Sequence, residues 1–179
     1  MPKLVTRQQI PAITITESNF QPYGQLITPS PDGKVFDQTD AVLNLGNGTP
    51  RFYIMRLHHR GRVFDRITRH NLCTQCLGSL NGKDWFMAVC PPSTKTEPEI
   101  DRLKAFYIPG NCFIKMEVGT WHAGPYFDHQ VVDFYNLELS DTNVVDHFTH
   151  NFSTKQNLEF EIVGAIRESP LQANLHQSS

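Results

Sequence analysis

The chain alternates short β-prone runs with turn residues at near-regular intervals, and no stretch carries an apolar 3.6-residue period through three turns. That pattern favours many short strands over long helices. Candidate strands are residues 51–57, one or two within 63–80, then 85–89, 103–108, 112–118, 121–127 and 131–139. Residues 158–162 form a last candidate that ties down the C-terminal region. Asn81-Gly82 reads as a tight hairpin turn. Glu17-Ser18-Asn19 reads as the cap of a single helical turn ended by Gly24, and residues 29–50 as loop with a short pairing segment at Ala41-Val42-Leu43. Short strands with turn signals between them imply an all-β sandwich or barrel. The 179 residues suffice for one core, and twelve Phe, five Tyr and two Trp supply large side chains to fill it. The expected organisation is one domain over residues 1–162, followed by a polar tail over 163–179.

A net charge of −2 gives no basic field for nucleic acid or an anionic membrane. No apolar run reaches the ~20 residues of a membrane span, and the start, Met1-Pro2-Lys3-Leu4, lacks the apolar core of a signal peptide. The expectation is a cytoplasmic protein whose cysteines (73, 76, 90 and 112) stay reduced.

Two histidine segments carry the chemical information. Thr68-Arg69-His70 is followed after four residues by Gln75 and after six more by Gly82; Gly119-Thr120-Trp121-His122 follows later. The order and spacing resemble the two cupin motifs, His-x-His…Glu…Gly and Gly-x-x-His, with Thr68 and Gln75 in place of a His and the Glu. Alternation along a strand puts Arg66, Thr68 and His70 on one face and Arg69 on the other. His70, His122 and Gln75 are therefore the candidate catalytic groups, and imidazole titrates near working pH. The same three are the candidate ligands of a divalent metal, which two imidazoles and an amide would hold weakly. Arg66, Thr68 and Asp133 are candidate substrate contacts, Arg66 as a carboxylate clamp. The competing reading makes each His a hydrogen-bonded structural residue and Arg66 a solvated surface group.

A longer resemblance runs from residue 12 to 162. Phe20-x-x-Tyr23-Gly24-x-x-Ile27, Arg69-His70-x-Leu72-x-Thr74-Gln75, Leu103-Lys104-Ala105-Phe106, Gly119-Thr120-Trp121-His122-x-x-Pro125 and Val132-Asp133-Phe134 are similar, in order, to segments of the ureidoglycolate lyase family of the cupin superfamily. The resemblance implies a cupin-type barrel. It also implies a carbon–nitrogen lyase that splits ureidoglycolate into glyoxylate and urea during allantoin breakdown, and a possible homodimer. Three departures stand against it. Thr68 occupies a position where the family has a carboxylate, Cys73 and Cys76 replace Gly and Ala, and Ala123-Gly124 interrupt the family's Trp-His-His-Pro. They leave open a divergent, non-catalytic cupin that binds a metabolite or a protein.

Lesser candidates complete the reading. Glu117, five residues before His122, is a possible substitute carboxylate. Cys73-Thr74-Gln75-Cys76 lacks the second pair of a zinc site. The basic stretch Leu57-His58-His59-Arg60-Gly61-Arg62 reads as a solvated turn able to receive an acidic partner or a phosphate, and His129, His147, His150 and His176 as surface or loop residues.

Overall fold

A computed structural model describes residues 4–166. Thirteen strands run in chain order: β1 (Thr6–Thr14), β2 (Gly24–Ile27), β3 (Pro50–His58), β4 (Val63–Phe64), β5 (Arg66–Arg69), β6 (Gln75–Ser79), β7 (Gly82–Cys90), β8 (Lys104–Gly110), β9 (Phe113–Met116), β10 (Trp121–Tyr126), β11 (Val131–Leu139), β12 (Phe148–Asn151) and β13 (Leu158–Ile166). Three α-helical turns, α1 (Glu17–Phe20), α2 (Thr142–Val145) and α3 (Phe152–Gln156), and a 3₁₀ turn at Ile100–Arg102 interrupt them. An eight-stranded sheet has the order β12-β5-β10-β7-β8-β1-β13-β4, and a five-stranded sheet the order β2-β9-β6-β11-β3. The two curl against each other in the all-β, cupin-like architecture expected from the strand pattern.

Alternation along β7 explains how one strand serves two cores. Trp85, Met87 and Val89 enter a cluster with Phe106, Ile108, Ile114 and Phe134. Phe86, Ala88 and Cys90 enter a second cluster with Ala123, Phe152, Phe160 and Ile162. Each strand residue on β7 after Asp84 is thus buried on one side of the sheet or the other. On β11 the same period buries Val132, Phe134, Asn136 and Glu138 while Asp133, Tyr135 and Leu137 stay partly exposed. The polar pair among the buried four marks where the apolar interior gives way to a site.

The turn at Asn81-Gly82 departs from the hairpin expectation. Both residues take positive φ, 59° and 64°, as a tight primed turn requires. The strands that it joins nevertheless lie in different sheets, so the turn is a corner between layers. Gly110 sits opposite Gly82, and a Cβ there would lie 2.1 Å from the Gly82 carbonyl carbon. Thr16 caps α1, accepting from the Asn19 N–H at 3.2 Å while Asn19 Oδ1 accepts from the Thr16 N–H at 2.8 Å. Residues 41–43 form no strand, and the 63–80 region holds three. The last strand runs to Ile166, four residues beyond its expected end, because it pairs in parallel with nearly all of β1. Most of the expected tail, from residue 167, lies outside the described residues. Among the described residues, no helix is long and apolar enough to cross a membrane.

Phe134 is fully buried against Trp85 and Phe127. Phe134→Ala is expected to lower stability by about 3–5 kcal/mol. Val144→Ala, on a side chain 84% exposed, is expected to change it by less than about 0.5 kcal/mol. Urea denaturation midpoints check both.

Candidate functional site

His70 follows the last residue of β5, and His122 lies on β10 in direct register with Thr68 of β5. The sheet pairing therefore brings the two histidine motifs together, and the two rings stand 5.1 Å apart between centroids. A third ring, His147, stands 5.8 Å from His70. His147 is contributed by the segment between α2 and β12, and β12 in turn pairs with β5.

The hydrogen bonds place the Nδ1 hydrogen of both rings. His70 Nδ1 lies 2.5 Å from the Asp146 carbonyl oxygen, and His122 Nδ1 lies 3.2 Å from the Thr120 carbonyl oxygen. A carbonyl only accepts, so each Nδ1 carries the hydrogen, and in the neutral ring each Nε2 keeps its lone pair. Burial pushes the His122 pKa down to about 3, with the neighbouring His70 lowering it further. Burial likewise lowers the pKa of His70, although the Asp146 carbonyl and the Asp146 and Glu138 charges oppose the shift. The site thus holds two neutral imidazoles, each with one basic nitrogen unused by protein. Asp146 anchors the arrangement a second time, its carboxylate accepting the N–H of Asn71 at 2.8 Å and of Leu72 at 2.7 Å.

These rings border a cavity of about 170 Å³ whose walls include Tyr53, Gln75, Asn136 and Glu138. Glu138, only 1% exposed, is held by Gln75 Nε2 at 2.9 Å and by the Tyr53 hydroxyl at 3.2 Å. A wider cleft of about 390 Å³ includes Arg66, Thr68, Asp65 and Tyr126. Arg60, His122, Gly124 and His147 line both spaces, so the cleft is the mouth of the cavity. Arg60 donates to the Pro125 carbonyl at 3.2 Å, and its guanidinium lies 5.1 Å from the Tyr126 ring centre.

Of the residues singled out in the sequence, His70, His122 and Gln75 meet at the cavity, and Arg66 and Thr68 lie with His122 in the outer cleft. Thr68 shares a hydrogen bond with Thr149 at 3.0 Å, and Arg66 is exposed, with Asp65 3.7 Å away. Asp133 is not brought to the site. Its carboxylate takes both Arg56 donors, at 2.8 and 2.9 Å, on the other face of β11 from Glu138. Glu117 is exposed and paired with the buried Lys115. All four cysteines are free and buried, and burial pushes the Cys76 thiol up to about 11. Glu138, Arg60 and His147 are the ionisable lining residues that the motif spacing missed, and Tyr53, Asn136 and Asn143 are polar ones that it also missed. The β11 alternation of buried positions carries a signal for Glu138, since a carboxylate at an interior strand position needs a reason. Arg60 lay in the basic stretch already noted, and nothing in the local sequence of His147 marks it.

The donor set would hold a divalent ion only weakly, through His70 Nε2, His122 Nε2 and Gln75 Oε1, with substrate or water completing its coordination. Gln75 gives its amide nitrogen to Asn136 and Glu138, which leaves only its oxygen for a ligand, and the Glu138 carboxylate is bound by Tyr53 and Gln75. Among the described residues, no three His, Cys, Asp or Glu side chains group so as to hold a metal ion.

Compared with known proteins, the chain matches the family model described as ureidoglycolate lyase over residues 7–159. No curated protein matches it.

Asp146→Ala is expected to destabilise by about 1–3 kcal/mol, since two backbone N–H groups lose their acceptor. Equilibrium unfolding checks the value. A second expectation follows from the lowered imidazole pKa values. In the folded protein these groups stay neutral below the unfolded value of ~6.5, so the unfolded chain binds the extra protons. Their contribution is complete above ~6.5 and is lost as pH falls from there towards the folded values. The stability lead of the native protein over His122→Asn should therefore shrink between pH 7 and 4.5. A lead that grows on acidification would contradict this.

Proposed function

The chain belongs to the ureidoglycolate lyase family, and on that premise we propose that it cleaves ureidoglycolate to glyoxylate and urea. The observation that carries the reading is the pair of neutral imidazoles, each fixed through Nδ1, beside a small cavity with a guanidinium at its mouth. The substrate carbon bears a hydroxyl and a ureido nitrogen, so the reaction needs one proton moved from oxygen to nitrogen. An Nε2 lone pair takes the hydroxyl proton, the C=O bond forms, and the C–N pair leaves with the nitrogen. The imidazolium so formed returns its proton to the departing urea nitrogen. Burial suits the second half of that exchange, because it makes the imidazolium a willing acid. Arg60, common to cavity and cleft, meets the substrate carboxylate, with Arg66 further out in the cleft. The missing carboxylate at Thr68 is offset by Glu138, which reaches the cavity from β11. In this reading the protein acts late in allantoin breakdown.

Purified protein is expected to release urea and glyoxylate from racemic ureidoglycolate above the spontaneous rate, and His122→Ala to lower kcat/KM by about 10²–10⁴-fold. The acid limb of kcat/KM should lie below the ordinary imidazole value of ~6.5, since the base stays neutral there. No release by the native protein would sink the lyase reading and leave the non-catalytic alternative.

A further inference from the structure

Of the four strands that end a sheet, β3 is the longest. The eight-stranded sheet ends on β12 and β4, of four and two residues, and the five-stranded sheet on β2 and β3, of four and nine. A loop closes over β2, where Gln25 donates to the Asp40 carbonyl at 3.1 Å and accepts the Val42 N–H at 3.4 Å. β3 pairs with β11 alone, in unbroken register. Two bonds bracket that pairing and set its phase: His59 N–H to the Gln130 carbonyl and Ser140 N–H to the Thr49 carbonyl. The odd-numbered residues of β3 therefore bond β11, and Phe52, Ile54, Arg56 and His58 direct N–H and C=O away from the sheet. Among the described residues, no backbone group pairs with these outward ones. Their side chains are exposed on the outer face, Phe52 by 66% and Ile54 by 55%. Folded proteins blunt long edges with lysines, proline or a bulge, because an open ladder templates another strand. Along β3 there is no bulge, and its one proline, Pro50, stands at the end.

From this edge we propose that β3 docks a second copy of this chain, the two β3 strands pairing antiparallel about a two-fold axis at Ile54. The two five-stranded sheets then form one continuous sheet. Self-complementarity of the strand identifies the occupant. The register centred on Ile54 is the one that overlays all nine residues of each strand. In it Ile54 exchanges both backbone bonds with the partner's Ile54, and Phe52 does the same with the partner's Arg56. His58 donates to the partner's Pro50, whose ring nitrogen has no hydrogen to return. The charges agree with this register. Arg56, already held by Asp133 at 2.8 and 2.9 Å, meets the ring of Phe52 and not another arginine. A register centred on Arg56 would set like charges opposite and shorten the ladder. Tyr135 stacks on Phe52 at 5.6 Å between centroids, so that ring is ordered before docking. The inner face of the same strand presents Tyr53, Met55 and Leu57 to the cavity. Pairing therefore clamps the wall from which Tyr53 bonds Glu138. The family resemblance allows a homodimer without giving its face; β3 supplies the face, the symmetry and the register.

Sedimentation velocity on the native protein is expected to give twice the 20.4 kDa of one chain. Residue-resolved hydrogen exchange identifies the face. The amides of Phe52, Ile54 and Arg56 should slow by about tenfold or more as concentration rises and the dimer forms. Ile54→Pro removes an N–H that β11 does not use, at a position where an edge strand accepts proline, so this variant should fold and sediment as a monomer. Ile54→Lys sets two ammonium groups together at the axis and should weaken association by about 100-fold or more. It keeps the test decisive if the proline variant fails to fold. A native protein that stays monomeric at every concentration would overturn the proposal. So would a dimer in which those three amides exchange freely, or an undiminished dimer of folded Ile54→Lys.

Discussion

Asp146 holds the site together. Its carbonyl receives the Nδ1 hydrogen of His70, and its carboxylate closes over the two backbone N–H groups that follow His70. One residue, 2% exposed, therefore fixes the ring, its tautomer and the chain leaving β5. It also places His147, its neighbour in sequence, at the cavity mouth. Without that clasp, His70 would lie at a strand end with nothing to set its orientation, and burial alone would lower its basicity without directing it.

Around this anchor the barrel separates two kinds of polar group. Near the mouth, Arg60 and Arg66 remain hydrated and charged, where a guanidinium can exchange water for a ligand carboxylate at modest cost. Deeper in, Tyr53, Gln75, Asn136 and Glu138 are joined in a ring of hydrogen bonds, with Gln75 Oε1 left without a partner. A buried carboxylate is tolerable only with such partners. The ring also makes the floor rigid, since moving any member strands another. A dissymmetric cavity of this kind, cationic at its opening and with a buried carboxylate at its base, suits a ligand whose own ends differ.

Much of the fold was legible because strand alternation and turn chemistry act locally. The runs at β3, β7, β10 and β11 were visible from residue type, and the all-β architecture followed. Asn81-Gly82 shows the limit: its dihedral angles could be read from two residues, whereas the assignment of the flanking strands to different sheets depends on distant partners. The site divides in the same way. His70, Gln75 and His122 stood out by spacing. Asp133 looked equivalent to a site residue but falls one position off the interior phase of β11, where Asn136 and Glu138 face inward. Arg60 and His147 reach the cavity from segments without strand periodicity, so their placement depends on tertiary packing alone.

Proton transfer at this site requires His70 and His122 both to be neutral at pH 7, with hydrogen on Nδ1 and a free Nε2. Long-range ¹H–¹⁵N correlation spectra of the imidazole rings, assigned with His70→Gln and His122→Gln, measure this directly. Both rings are expected as the Nδ1–H tautomer. An imidazolium, or an Nε2–H tautomer at either ring, would contradict it, because neither leaves a basic nitrogen for proton transfer.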